Sequence, residues 1–379
     1  MKTIRQQFCV SYSFPVVFTR DAFSADNTAL ARVLDGGKTP CRVLVVVDSE
    51  VAAAVPGLME RIARYASLHR EVMELVFPLS IACGGEACKT DPAHYLKIQA
   101  LVEKNGLCRH SCILAIGGGA VLDATGFAAA TAHRGIRLIR MPTTTLAMND
   151  AGVGVKNGIN AFGRKNFTGC FAPPLAVIND FDFLNALPKR ELRCGIAEAV
   201  KVALIRDRGF FEFLFQARGD LALFSPQAME RMITRCAELH LEGIRQGGDP
   251  FETGSSRPLD FGHWSAHKLE ELTRGEIRHG EAVAIGIALD SLYSHRSGLI
   301  GELDLHRILA TLEGVGFDLY HPALAGVDVA GALREFREHL GGELSIPLVN
   351  GIGSQVDRHD IDHQLYSDCI GTLAARSRS

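Results

Sequence analysis

The chain has 379 residues, 47% of them apolar and 22% charged, with a formal net charge of -3, which fits a globular protein long enough for two domains with separate cores. Near-balanced charge without a basic block excludes a nucleic-acid partner, and the singly placed Lys and Arg suit a small anion instead. Apolar runs such as residues 282–289 are too short to span a bilayer and no apolar stretch follows Lys2 and Arg5, so no membrane partner and a cytoplasmic location are expected.

Ten cysteines run from Cys9 to Cys369 without a CxxC pair, a distribution that suits buried thiols in a reducing compartment. In chain order, β-branched runs at 42–47 (ending at Asp48), 75–77, 113–116 and 138–141 alternate with helical or polar stretches, and 176–178 closes the series at Asn179-Asp180. Strand alternating with helix predicts a parallel sheet covered on both faces. From Pro188 helical periodicity takes over, at 228–244, 264–272, 281–293 and 304–312, and 374–379 reads as a frayed polar tail. The expected architecture is an α/β domain over residues 1–185 followed by a mainly α-helical domain over 186–379.

Ile116-Gly117-Gly118-Gly119 follows a strand and opens a helical segment, so N–H groups at the helix start are open to a pyrophosphate. The run departs from GxGxxG, since Leu122 stands where the third glycine belongs and no acid follows about twenty residues on to hold a ribose. A plain tight turn is the alternative reading. His263, His267 and His279 place three imidazoles within seventeen positions, and His263 and His267, four apart, share a helical face, which points to a metal site. Glu198 offers a carboxylate on a helical segment, with Lys201 one turn away on the same side. Spacing leaves open which histidines would ligate, and satisfied core or surface histidines are the bland alternative. Trp264, the sole tryptophan, reads as a packing residue beside the site.

In order along the chain stand Gly117-Gly118-Gly119 with Asp123, Arg134-Gly135-Ile136, Pro142-Thr143-Thr144-Thr145-Leu146-Ala147, Asp150, Lys156, Gly163-Arg164-Lys165-Asn166, Ala197-Glu198 with Lys201, Gly262-His263 with His267, and His279-Gly280-Glu281. From about Asp48 to Gly286 this order closely resembles 3-dehydroquinate synthase and the wider sugar phosphate cyclases. The resemblance implies a Rossmann-like parallel-sheet NAD-binding domain joined to a helical metal-binding domain, with the active site in the cleft. It implies that Asp48, Gly85, Glu86, Lys89, Gly118, Gly119, Asp123, Thr143, Thr144, Lys156 and Lys165 surround NAD. Glu198, His263 and His279 would bind zinc, cobalt or another divalent ion, and His267 would contact substrate and phosphate instead. Asp150, Lys156, Asn166 and Lys201 match polar groups around the substrate. Arg134 matches an arginine that reaches the phosphate of the neighbouring subunit, which implies a homodimer. The implied chemistry is that of a phosphate lyase and carbocycle synthase: hydride passes to tightly held NAD, phosphate leaves by β-elimination, the ketone is reduced again, and the opened ring closes by an intramolecular aldol reaction.

The family pattern before the metal histidine runs roughly GLRxxLNFGH. Here residues 253–263 read Thr-Gly-Ser-Ser-Arg-Pro-Leu-Asp-Phe-Gly-His, so Ser256 stands at the arginine position, Arg257 is displaced by one, and Asp260 replaces the asparagine. Where a lysine would help bind a substrate carboxylate, register points to Glu242, and residues 347–353 contain no match for the usual lysine pair of the phosphate site. Without the cationic clamp a buried substrate carboxylate would cost roughly 2 to 5 kcal/mol. A neutral ketose phosphate such as sedoheptulose 7-phosphate is therefore the expected substrate. Asp260 matches the cyclases that act on it, whereas His267 is a histidine those enzymes commonly lack. The heptulosonate phosphate that feeds dehydroquinate is the alternative substrate. A metal-dependent polyol dehydrogenase and a non-catalytic binding protein are the remaining readings. Lys156, Lys165, Asn166 and Lys201 argue against the dehydrogenase, because a neutral polyol needs no phosphate pocket.

Overall fold

The computed structural model describes every residue except 38, 78, 247–250, 252–257, 340, 341 and 379, so Ser256 and Arg257 lie outside the described residues. The chain folds as two compact units, the first made of Met1–Pro142 with Val155–Asp182 and the second of Thr143–Gly154 with Phe183–Ser379.

The first unit holds strands β1 (Val16–Thr19), β2 (Cys41–Asp48), β3 (Met73–Leu75), β4 (Ser80–Ala82), β5 (Cys112–Gly117), β6 (Arg137–Pro142), β7 (Lys156–Ala161), β8 (Arg164–Phe171) and β9 (Ala176–Asp180). Seven of them form one sheet in the order β1-β9-β6-β5-β2-β3, with β4 also paired to β2. Every pairing in it is parallel. β2 and β5 are buried almost end to end, as strands covered on both faces must be. Their register, from Val43 opposite Cys112 to Val47 opposite Ile116, brings Asp48 and Gly117 to the same edge. The strand expected at 75–77 instead ends at Leu75, because only Cys41–Val43 of β2 faces it; Phe77 is exposed.

The helix Gly119–Thr131 is apolar nearly all round and mostly buried. The antiparallel hairpin β7–β8 lies off the main sheet, and its two-residue turn, Phe162-Gly163, has φ of 53° and 73°, the left-handed pair that suits a tight hairpin. Buried Arg140 of β6 ties the hairpin down by donating from Nη2 to the Lys156 carbonyl at 2.6 Å and to Asn157 Oδ1 at 2.7 Å.

The second unit is mainly helical, with long helices Lys189–Arg206, Pro226–Gln246, His263–Leu272, His279–Arg296, Glu302–Val315 and His363–Arg376, and among the described residues one antiparallel strand pair. Residues 374–376, expected in a frayed tail, belong to the last helix. Cys369, Ile370 and Leu373 bury one face of the last helix, and Arg376 grips Glu313 at 2.8 and 2.9 Å. Six of the ten cysteines are buried, but Cys9, Cys83 and Cys108 are exposed, against the expectation of uniformly buried thiols; all ten are free. Among the described residues no helix is long and apolar enough to cross a membrane.

Candidate metal centre and cofactor-binding residues

Glu198 sits in the middle of the Lys189–Arg206 helix, whose residues 194–205 are all buried. Two glycines let other segments reach this helix. A Cβ on Gly195 would lie 2.5 Å from Thr145 Cγ2, and one on Gly280 would lie 2.2 Å from the Cys194 carbonyl oxygen, so any side chain would push away the Thr143–Gly154 segment or the His279–Arg296 helix. Glu281 fixes the second contact by accepting the Arg278 N–H at 2.9 Å and the Arg190 guanidinium at 2.7 and 2.6 Å.

Ligand atoms of Glu198, His263 and His279 all lie within 4.8 Å of one another. Glu198 Oε1 is 3.5 Å from His263 Nε2 and 3.3 Å from His279 Nε2, and its Oε2 is 2.5 Å from Lys201 Nζ. Both carboxylate oxygens are buried, and neither accepts a hydrogen bond of normal geometry among the described residues. His263 Nδ1 lies 3.1 Å from the Phe261 carbonyl oxygen and His279 Nδ1 lies 3.2 Å from Glu270 Oε2. These oxygens can only accept, so each ring keeps a proton on Nδ1 and presents Nε2 to Glu198. A buried under-satisfied carboxylate and two imidazoles anchored from behind are a donor set that fits a divalent ion such as zinc.

The electrostatics point the same way. Burial pulls the His279 imidazole down, but the Glu198 and Glu270 carboxylates beside it outweigh burial and raise its pKa to about 10, so the pocket draws positive charge to the place a cation would take. Burial pushes Glu198 up, yet Lys201 and His263 hold it well below its ordinary value. Burial likewise pulls the Lys201 ammonium down, and Glu198 and Asp150 more than restore it.

His267 lies one turn beyond His263, its ring 5.5 Å from His263 and 6.3 Å from His279, exposed and outside the trio. Asp260 ends the short turn Pro258–Asp260 and adds to the field that keeps Lys201 charged. Asp150, at 3.0 Å from His240 Nδ1, is pushed up by burial but drawn down to about 2 by His240 and Lys201.

His240 was missed in the sequence, where Glu242, read in place of a family lysine, was the residue singled out on this helix. Two residues along a helix are about 200° apart, so Glu242 faces away, 46% exposed and 3.9 Å from Arg235, while His240 is 12% exposed. The buried series Met229, Met232, Ile233, Cys236 and Ala237 on the same helix carried the signal, since it continues to 240 at helical spacing.

In the first unit Asp48 closes β2 and accepts the Glu50 N–H at 2.9 Å, and Gly118 and Gly119 open the Gly119–Thr131 helix. Buried Lys89 donates to Asp123 Oδ2 at 2.7 Å and to Asn166 Oδ1, so Asn166, expected at the substrate, also touches this pair. Gly85 has φ of 67° and Glu86 accepts from Asn160 at 2.7 Å. Lys156, Lys165 and Arg134 are exposed, and Arg134 has φ of 62°. Thr143 and Thr144 belong to the second unit, Thr143 buried and Thr144 Oγ1 accepting the Ala147 N–H at 3.1 Å.

A parallel-sheet unit with a glycine turn at a helix start, and a helical unit carrying a carboxylate and two histidines, define a two-domain, dehydroquinate-synthase-like fold. Profiles of the 3-dehydroquinate synthase N-terminal and C-terminal domains match residues 80–194 and 195–337. A 3-dehydroquinate synthase from Acidithiobacillus ferrooxidans is 35% identical over 345 residues, 91% of each chain. A 2-epi-5-epi-valiolone synthase from Streptomyces hygroscopicus subsp. jinggangensis is 32% identical over 377 residues, 97% of this chain and 88% of that one. The structure of that enzyme with NAD+ and Zn2+ bound matches with a TM-score of 0.88 at 30% identity, covering 98% of this chain and 100% of that one. A 2-deoxy-scyllo-inosose synthase complexed with carbaglucose-6-phosphate, NAD+ and Co2+ shares the fold, with a TM-score of 0.77 at 24% identity over 94% and 96% of the two chains. The chain belongs to the 3-dehydroquinate synthase family, within the sugar phosphate cyclases.

Proposed function

We propose that the chain is an NAD- and divalent-metal-dependent phosphate lyase that turns a neutral heptulose phosphate, such as sedoheptulose 7-phosphate, into a carbocycle. The reaction runs by transient oxidation, β-elimination of phosphate, re-reduction and intramolecular aldol closure. Glu198, His263 and His279 would hold the ion, zinc or cobalt. Asp48, Gly85, Glu86, Lys89, Gly118, Gly119, Asp123, Thr143, Thr144, Lys156 and Lys165 would hold NAD. When bound, the two groups supply reversible hydride transfer and a lowered pKa for a substrate hydroxyl.

The protein's own side chains do the rest. Lys201 keeps Glu198 ionised and stands beside the substrate hydroxyls. Asp150, kept a carboxylate by His240 and Lys201, accepts from a hydroxyl. His267, Lys156 and Asn166 serve the phosphate and the sugar. Arg134, exposed on the first unit, serves the phosphate of a partner subunit in a homodimer.

The charge balance around the cluster carries the choice of a neutral sugar. Asp150 and Asp260 act on Lys201, whose ammonium is already on Glu198 at 2.5 Å, and Glu270 stands behind His279. A substrate carboxylate would meet net repulsion there. The second reading, a 3-dehydroquinate synthase, is favoured by His267 and by the 35% identity to such an enzyme. The reaction class is tested by following inorganic phosphate and NADH together in metal-loaded protein with NAD and the sugar phosphate. Phosphate released without net NADH is expected. NADH accumulating one for one with product would replace the cyclase with a polyol dehydrogenase.

A further inference from the structure

Asp290 is a fully buried carboxylate in the His279–Arg296 helix, eleven residues past His279, and no step of the reaction above uses it. It accepts three hydrogen bonds: from Trp264 Nε1 at 3.0 Å and Tyr366 Oη at 2.9 Å on Oδ1, and from the Gly262 N–H at 2.9 Å on Oδ2. Burial pushes its pKa up to about 6, with the Trp264, Tyr366 and Gly262 donors restraining the rise, and three N–H or O–H donors converging on its two oxygens are surroundings that suit the ionised carboxylate, which can only accept.

The third bond is the informative one. The Gly262 N–H belongs to the same planar peptide unit as the Phe261 carbonyl, and that carbonyl takes the Nδ1 proton of His263. One peptide group thus has a carboxylate on its N–H and a candidate metal ligand on its C=O. Hydrogen bonds chained through a polar group polarise one another, so the Asp290 charge makes the Phe261 oxygen a better acceptor and His263 Nε2 a better donor to a cation. The peptide has no freedom to turn away. Gly262 has φ of 78°, and a Cβ on Gly286 would lie 1.9 Å from the Gly262 carbonyl oxygen, so the turn lies directly against the helix that carries Asp290.

We propose that Asp290 is a positioning residue for the metal centre, fixing and polarising His263 through the 261–262 peptide, with Trp264 and Tyr366 holding the carboxylate in place. The inference rests on the reading of His263 as a ligand. It also changes the role of Trp264, which packs against Tyr366 with ring centroids 4.9 Å apart and hydrogen-bonds as well.

The test reads cobalt, not turnover. Metal-free full-length protein is titrated with Co2+, and the dissociation constant and visible d–d spectrum are recorded for wild type, Asp290→Asn and Tyr366→Phe. An outer-shell partner of a ligand histidine commonly changes metal affinity about ten- to a hundredfold. Asp290→Asn, which leaves one of the three donors without an acceptor, is expected to weaken Co2+ binding on that scale and shift the spectrum. Tyr366→Phe, which spares the Gly262 bond, should stay within about twofold of wild type. Folded Asp290→Asn protein with wild-type affinity and spectrum would overturn the proposal. Should Asp290→Asn fail to fold, replacing Gly262 by glycolate turns the 261–262 amide into an ester, which removes the N–H and weakens the Phe261 carbonyl as an acceptor, and unchanged Co2+ binding there overturns it equally. Wild-type protein that takes up no Co2+ would remove the ligand reading itself, and this inference with it.

Discussion

At the scale of single residues the candidate metal centre depends on a few buried charges. Glu198, His263 and His279 are read as a metal trio because their free ligand atoms converge while each histidine is anchored from behind. His263→Ala is therefore expected to abolish retention of metal through gel filtration, measured by elemental analysis. A variant holding one metal per chain with full activity would contradict the assignment. Asp150 gives a pH prediction. Its carboxyl is drawn down from 3.8 to about 2, so the stability it contributes is present above its unfolded pKa and lost as pH falls from about 4 towards 2. In metal-free protein that loss should be on the order of 2 kcal/mol and absent from Asp150→Asn, whose unfolding free energy should depend less on pH in that window. Parallel curves for the two proteins would show that His240 and Lys201 do not hold the carboxylate as described.

At the scale of elements, the site exists because helices and a loop approach one another where glycine removes a side chain. Gly280→Ala would place a methyl 2.2 Å from the Cys194 oxygen, and overpacking of this kind costs about 1 to 3 kcal/mol. Urea unfolding should show that loss together with weaker metal binding, since the same helix carries His279. An unchanged midpoint would mean the contact relaxes freely. The elements differed in how well the sequence announced them. β2, β5 and β6 were legible as β-branched runs because strands covered on both faces must be apolar throughout. The hairpin β7–β8 was not, since its Gly- and Asn-rich, half-exposed strands follow neither an apolar nor an alternating pattern. The three site histidines were legible as residue types, and His279 was separated from His267 as a ligand only through family resemblance. His240 required the buried phase of its helix, and Asp290 was invisible because nothing in its local sequence tells that Trp264, Tyr366 and Gly262 converge on it.

At the scale of the whole molecule, membership of the 3-dehydroquinate synthase family rests on relatives that align over nine-tenths of the chain or more, and the proposed preference for a neutral sugar rests on the charge around the cluster. Metal bound by the folded state alone adds stability, about 2.7 kcal/mol at a free concentration a hundred times the dissociation constant. Chelation should accordingly lower the melting temperature, and Zn2+ should restore it. Identical melting curves with and without chelator would argue against a resident ion. The most direct test of the neutral-sugar reading compares kcat/KM for phosphate release from sedoheptulose 7-phosphate with that from the heptulosonate phosphate that feeds dehydroquinate, using metal-loaded protein with NAD. Preference for the neutral sugar without net NADH is the predicted result. Release from the acid alone would contradict it, and would mean that a cation such as Arg257 has taken over the lost carboxylate clamp.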